Sequence, residues 1–338
     1  MITDGIKIGV KHSYKDFGLV IASRNIGIPA KKIVKATIPY MNGAYDFSAL
    51  NGVPVYEERL LTYGFDIAGA TIGEMEVEKA AVLSWLMSAQ DVDIYDDAYP
   101  DTHFHGSYDN ATWTEDDSQG NILVVFKAYP FRLANAETVL EFNTAEATRT
   151  VTNDGYPVQV KINSPQGATA TLGGVSYSAG SGEYIHPAFL NSGENEITVK
   201  LMDGMTYAQG SKTENGINFA VNSTDGYVTA DGTADDTAWL YLRMQPQHGL
   251  LPVGEYWLSG CPDGGRYETF GITVTIGKVD GSTLYYRDGG DGLRFTVDED
   301  VTSVYIGIFV AGGYTASSLV FYPRLYGITE VSWRKEVV

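Results

Sequence analysis

The sequence predicts a mainly β protein built from more than one domain, with a single helix of note. Glycine and tyrosine are abundant, 38 and 23 of 338 residues. Glycine supplies the positive φ of tight turns, and tyrosine suits a half-buried pleated face. Segments such as IKIGV, KIVKATIPY, ERLLTYGFDIAG and NILVVFKAYPF are short, rich in β-branched and aromatic residues, and bounded by Gly, Pro or Asp. That is the pattern of strands. A chain of 338 residues is about twice a usual domain, so two or three domains are expected.

Within residues 1–133, the stretch MEVEKAAVLSWLMSAQ predicts a helix over 75–90. Val77, Ala81, Leu83 with Trp85, and Leu86 fall near helical spacing, and Glu76 and Glu78 sit in the first turns, where the helix dipole favours negative charge. A turn-rich acidic run, IYDDAYPDTHFHG, follows. Residues 1–40 hold seven Lys and Arg against two acids, which suits either a solvated strand rim or a face for an acidic partner. From 134 to 204 the texture changes to alternating Val, Thr, Ile and small polar residues, as in ATRTVTNDGYPVQVKI and NEITVKLMDG, with tight turns expected at 153–155 and 202–204. This reads as a small antiparallel β-domain. Over 205–327, strands of five to eight residues recur between turn signals, the pattern of a jelly-roll sandwich. The final ITEVSWRKEVV, 328–338, is strand-like but charged and alternating, and is grouped with 134–204.

Composition removes several classes of function. Lys plus Arg total 23 against 42 Asp plus Glu, a net charge of −19, whereas nucleic-acid and anionic-membrane binders need clustered basic surface. No apolar run approaches the ~18 residues of a membrane span, and MITDGIKIGVKHSYKDFG has no apolar core of a secretory signal. One cysteine, Cys261, excludes an internal disulfide framework and a thiolate metal cluster, and no basic neighbour marks it as a nucleophile. Neither a GxSxG elbow nor a phosphate-binding GxxxxGK[ST] loop occurs.

Candidate chemistry is sparse. His103 and His105 would share one face of a strand and could reach one ion, with Asp101 and Asp109 as the nearest further ligands; a surface or interface pair is the commoner arrangement. Asp96, Asp97 and Asp101, and Glu115, Asp116 and Asp117, are carboxylate clusters of the kind a glycosidase needs, but 42 acids also produce such clusters by accident. The DGGDG run could offer Asp288 and Asp291 to calcium or form a plain hairpin turn. The stronger signal is aromatic: Trp239, Tyr241, Tyr256, Trp257, Tyr267, Tyr285, Tyr286, Tyr305 and Tyr314 all lie within 205–327. Aromatic faces stack on the apolar faces of sugar rings. In Ala-Trp-Leu-Tyr-Leu, the leucines are the natural core face, which turns Trp239 and Tyr241 outward. Trp239, Tyr241, Trp257, Tyr285 and Tyr286 are the expected sugar-contacting residues, with no metal and no cofactor.

The order of motifs adds a resemblance. HSYKDFGLVI, ATIPYMNGAYDFS, YEERLLTYGFDI, a helix ending in LSWLMS, IYDDAYPDTHFHG and VVFKAYPFRL resemble, in sequence order, the N-terminal domain of siphophage distal tail proteins. The resemblance covers residues 1 to about 133. It implies a β-sandwich-type domain that assembles as a hexameric ring between the tail tube protein and the tail-tip hub protein. Residues 134–204 with 328–338 are similar to the galectin-like β-sandwich that follows in that family, and 205–327 resembles the carbohydrate-binding-module-like jelly rolls inserted before its last strand. The implied protein is a structural, non-enzymatic part of the virion tail tip whose insertion binds host-surface polysaccharide during adsorption. The alternatives are a free-standing carbohydrate-binding protein, which the lack of a signal sequence disfavours, and a tail-tip glycan hydrolase.

Overall fold

The computed structural model describes residues 4–40, 42–49, 52–68, 71–116, 119–244 and 251–338. Strand accounts for 58% and helix for 7%, arranged as several separate sheets, so the fold is mainly β and rich in sandwiches. Three apolar cores organise the described residues.

The first core belongs to a nine-stranded sheet whose main path runs Lys11–His12, Ile6–Ile8, Val92–Asp96, Thr102–Asp116, Gln119–Ala128, Arg59–Ala68 and Val20–Ile26. Gln119–Ala128 shows why these segments are strands. Ile122, Val124, Phe126 and Ala128 are buried while Leu123 and Lys127 are exposed, the period of two that a one-sided sheet requires. The helix Ile72–Met87 begins three residues earlier than the apolar spacing predicted. Its start is fixed by an N-cap: the Thr71 hydroxyl accepts the Glu74 N–H and donates to the Glu74 carboxylate. The helix buries Met75, Val82, Trp85 and Leu86; Val77, expected on the inner face, points outward. Trp85 stacks on Phe17 at 4.8 Å and donates from its indole N–H to the Ile8 carbonyl. Phe17 closes a second, short helix, Ser13–Phe17, which ends on Gly18 in the left-handed region.

From the end of Val20–Ile26 the chain leaves the sheet and returns at Arg59–Ala68. The excursion is a long extension zipped by backbone bonds, Lys32 N–H to Val55 O and Glu57 N–H to Ala30 O, with the short strands Lys35–Ala36 and Tyr45–Asp46 paired further out. Ile28 and Ile33 on it are 90% and 69% exposed, and Ile38, Tyr40, Tyr45 and Phe47 are exposed as well.

Residues 138–201 together with 329–333 form two four-stranded sheets around a second core that includes Phe142, Ile162, Leu172, Val199 and Val331. Thr329–Trp333 lies between Thr138–Phe142 and Val158–Ser164 in one of these sheets. Three residues on, Glu336–Val337 pairs with Arg132–Ala134 of the nine-stranded sheet, so the chain's end ties the two sheet systems together. Tyr129 donates to the Glu336 carboxylate there, and burial raises the pKa of that carboxyl. The turn at 153–155 is organised by Asn153, whose side-chain oxygen accepts the Gly155 N–H. The expected turn at 202–204 is instead a crossing point: the Asp203 carboxylate accepts the N–H groups of Met205 and Leu325.

The third core fills a sandwich over 212–327. One face is the sheet Ala238–Met244, Val301–Val310, Phe270–Lys278, Thr283–Asp288. The others are Lys212–Glu214, Ile217–Asn222, Tyr227–Thr233, Thr315–Phe321, and the three-stranded Leu293–Val297, Gly254–Ser259, Arg324–Gly327. Gly204 N–H bonds to Leu325 O at 2.7 Å, so the chain enters and leaves this sandwich side by side. No helix among the described residues is long and apolar enough to cross a membrane.

Candidate functional site

The outer face of the Ala238–Met244 sheet carries the aromatic site. Leu240 and Leu242 are fully buried, and Trp239 and Tyr241 are half-buried on the opposite side. Their ring planes lie within 9° of each other with centroids 6.2 Å apart, and Trp239 also packs on Phe309 at 5.5 Å. Strand register sets the neighbours. One row across the sheet reads Tyr241, Gly307, Thr273, Arg287, and the next reads Met244, Tyr305, Thr275, Tyr285. The small residues between the rings leave a groove of 530 Å³ lined by Trp239, Tyr241, Met244, Thr273, Thr275, Tyr285, Tyr305 and Gly307. Gly307 matters to its floor, since a Cβ there would sit 3.3 Å from the Tyr241 ring.

Of the five expected sugar-contacting residues, the fold brings three together: Trp239, Tyr241 and Tyr285, the last 76% exposed. Tyr286 faces the other way and packs against the core beside Phe295, because adjacent residues of a strand point to opposite faces. Trp257 lies in the three-stranded sheet, away from the groove, with its neighbours Tyr256 and Leu258 buried in the core. Tyr305 and Met244 complete the groove. Tyr305 was legible in principle, since buried Val304, Ile306 and Ile308 alternate with it. Met244 was not. A β-bulge at Leu242 breaks the alternation and places Met244, rather than Arg243, opposite Tyr305.

The other candidates have structural occupations. Asp96 is buried and accepts two hydrogen bonds from Arg24, at 2.8 Å each, and one from the Tyr63 hydroxyl at 3.0 Å. Asp97 accepts from Gly5 N–H and contacts the His12 ring at 3.0 Å. Asp117 lies outside the described residues, as do the side chains of Glu115 and Asp116. His103 and His105 share a strand face, but they meet partners rather than one ion. His103 is buried against Asn135 at 2.9 Å, and His105 sits between Asp93 and Asp91 at 2.8 and 2.9 Å. The hydrogen bond to Asp93 raises the pKa of His105. In the DGGDG turn, Asp288 is fully buried and accepts the N–H groups of Gly290, Gly292 and Cys261. A carboxylate surrounded by N–H donors organises a turn; a calcium ligand would instead be accompanied by other oxygens. Among the described residues no group of three His, Cys, Asp or Glu is placed to hold a metal. Cys261 is buried, and burial pushes its thiol up to about 12, leaving it protonated at neutral pH.

No protein-family model matches the chain, and no curated protein sequence matches it. Among solved structures, the chain is similar to SPP1 Dit (gp 19.1), described as a paradigm of the hub adsorption apparatus in phages infecting Gram-positive bacteria. That likeness has a TM-score of 0.40 and 14% identity, and spans 59% of this chain and 99% of that one. A second likeness, to the glycosylation-associated protein complex Gap123 of Streptococcus agalactiae, has a TM-score of 0.23 and 10% identity, and spans 40% of this chain and 45% of that one. Both are distant likenesses of fold.

Proposed function

We propose that this chain is a structural protein of a phage tail tip, assembling through residues 1–133 as a hexameric ring and carrying a glycan-binding sandwich over 205–327. The ordered series of motifs from HSYKDFGLVI to VVFKAYPFRL supports the tail assignment. The observation that carries assembly is the extension over 27–58. It exposes Ile28, Ile33, Ile38, Tyr40, Tyr45 and Phe47, an apolar surface that a lone soluble chain would bury. Residues 27–45 also contain Lys31, Lys32 and Lys35 and no carboxylate, in a chain of net charge −19. Asp46, Glu57 and Glu58 balance these lysines over 27–58 as a whole, so it is the exposed apolar area of the arm that suits a second copy of the chain. Repeating one such heterologous contact by rotation closes a ring.

The aromatic groove supports the second half of the reading. Weak sugar contacts at each subunit of a ring gain strength by avidity on a repeating host surface. A free-standing carbohydrate-binding protein would use the same groove but leaves the exposed arm unexplained. The carboxylates considered for a hydrolase, Asp96 and Asp97, are engaged with Arg24, Tyr63, Gly5 and His12. Because 204 and 325 are hydrogen-bonded neighbours, residues 205–324 can be replaced by a short linker that keeps Tyr326 in the second core. That deletion should leave ring assembly intact and reduce adsorption of virions to cells; failure of the deleted chain to assemble would overturn the modular reading.

A further inference from the structure

Building on the glycan-binding reading, we infer that the groove beside Trp239 and Tyr241 selects uncharged, extended polysaccharides and rejects polyanionic ones. Among the described residues, none of those lining it carries a formal charge at neutral pH. That neutrality depends on the bulge at Leu242. Simple alternation from Trp239 and Tyr241 would put the Arg243 guanidinium in the groove, beside Tyr305. Instead Arg243 turns inward, is buried, and donates to the Gly204 carbonyl, leaving the Met244 thioether on the outer face. A sugar carboxylate or phosphate entering the groove would therefore lose its water without gaining a cation from the lining. Arg287, at the rim beyond Thr273, lies over the Tyr267 ring at 5.6 Å.

The end of the sheet past Tyr305 and Tyr285 adds repulsion. Lys278 pairs with Asp298 there, and Asp280 and Asp300 also act on it, so the carboxylates outnumber the lysine. Neutral sugars meet a suitable surface instead. Among the described residues, the hydroxyls of Tyr241, Tyr285, Tyr305 and Thr275 and the Trp239 indole N–H have no intramolecular hydrogen-bond partner. They can serve sugar hydroxyls while the rings cover apolar sugar faces. The groove crosses four strands between Tyr241 and Tyr285, about 14 Å at the usual strand spacing, which suits an oligosaccharide rather than a single sugar.

The test is binding of the full-length chain to an array of neutral and anionic oligosaccharides, followed by titration of the strongest ligand at low and high salt. Neutral glycans should be retained, with affinity nearly unchanged by salt, and Tyr285→Ala should weaken binding by about tenfold or more. Tyr285 is an exposed edge residue, so this variant tests contact rather than folding, and Tyr322→Ala serves as the exposed control that leaves binding unchanged. Retention of polyanions with steep salt dependence would overturn the selectivity inferred here while leaving a glycan-binding module in place. No retention of any glycan would overturn both the inference and the glycan-binding half of the proposed function, and would not affect ring assembly.

Discussion

Asp96 offers a direct test of whether the acidic run after the helix serves stability or chemistry. Its carboxylate is buried and joins Arg24, Tyr63 and the Ala98 N–H, at 2.8 to 3.0 Å. Asp96→Ala strands the fully buried Tyr63 hydroxyl, which costs ~1–3 kcal/mol. Arg24 retains Asp4, at 2.9 and 3.0 Å, and a fifth of its side chain is exposed, so its charge keeps some compensation. The total loss should be ~3–5 kcal/mol, within the range for breaking a buried pair. Asp96→Asn keeps the shape and an acceptor but loses the charge, and should cost ~1.5–3 kcal/mol. For a unit of this size the alanine change should lower the melting temperature by about 10–20 °C. Region-resolved hydrogen exchange is the better assay, because a chain with three cores need not melt in one step. Protection should fall in 20–26, 59–68 and 92–96 and stay unchanged in 217–325. An Asp96→Ala chain with wild-type protection throughout would show that the buried carboxylate does not hold these strands together.

His105 should make a small pH-dependent contribution. Its folded pKa is raised, first by the hydrogen bond to Asp93, so the contribution is fully present below the unfolded value of ~6.5 and is lost as pH rises through the folded pKa. His105→Gln should remove that part of the melting profile, and parallel profiles for the two proteins would contradict it. Cys261 should resist a thiol reagent at neutral pH in the folded chain and react on unfolding; fast native labelling would contradict its burial. On the arm, Ile33→Asp with Phe47→Asp should abolish self-association without changing the melting temperature, because both side chains are exposed. A large fall in melting temperature would show that they pack within their own chain.

The β class was legible because alternation and turn residues are local. The outward Trp239 and Tyr241 were legible for the same reason, from the leucines between them. Tyr285 and Tyr286 show where local reading stops. One must face out and the other in, and only the pairing of Thr275 with Tyr285 decides which. Trp257 has the same local pattern as Trp239, but its strand pairs into a different sheet. The helix start was readable in Thr71 and Glu74, a capping signal independent of the apolar spacing that placed Val77 wrongly inside. Asp96 was not readable, since its partners Arg24 and Tyr63 are 72 and 33 residues away in sequence.

The proposed ring requires that the intact chain self-associate. Its solution mass, measured by light scattering after size exclusion and compared with that of the Ile33→Asp, Phe47→Asp chain, tests this most directly. A ring of six gives the mass of a hexamer for the native sequence, and loss of the arm contact gives the mass of a single chain for the variant. A single-chain mass for both would contradict the ring and favour a free-standing glycan-binding protein.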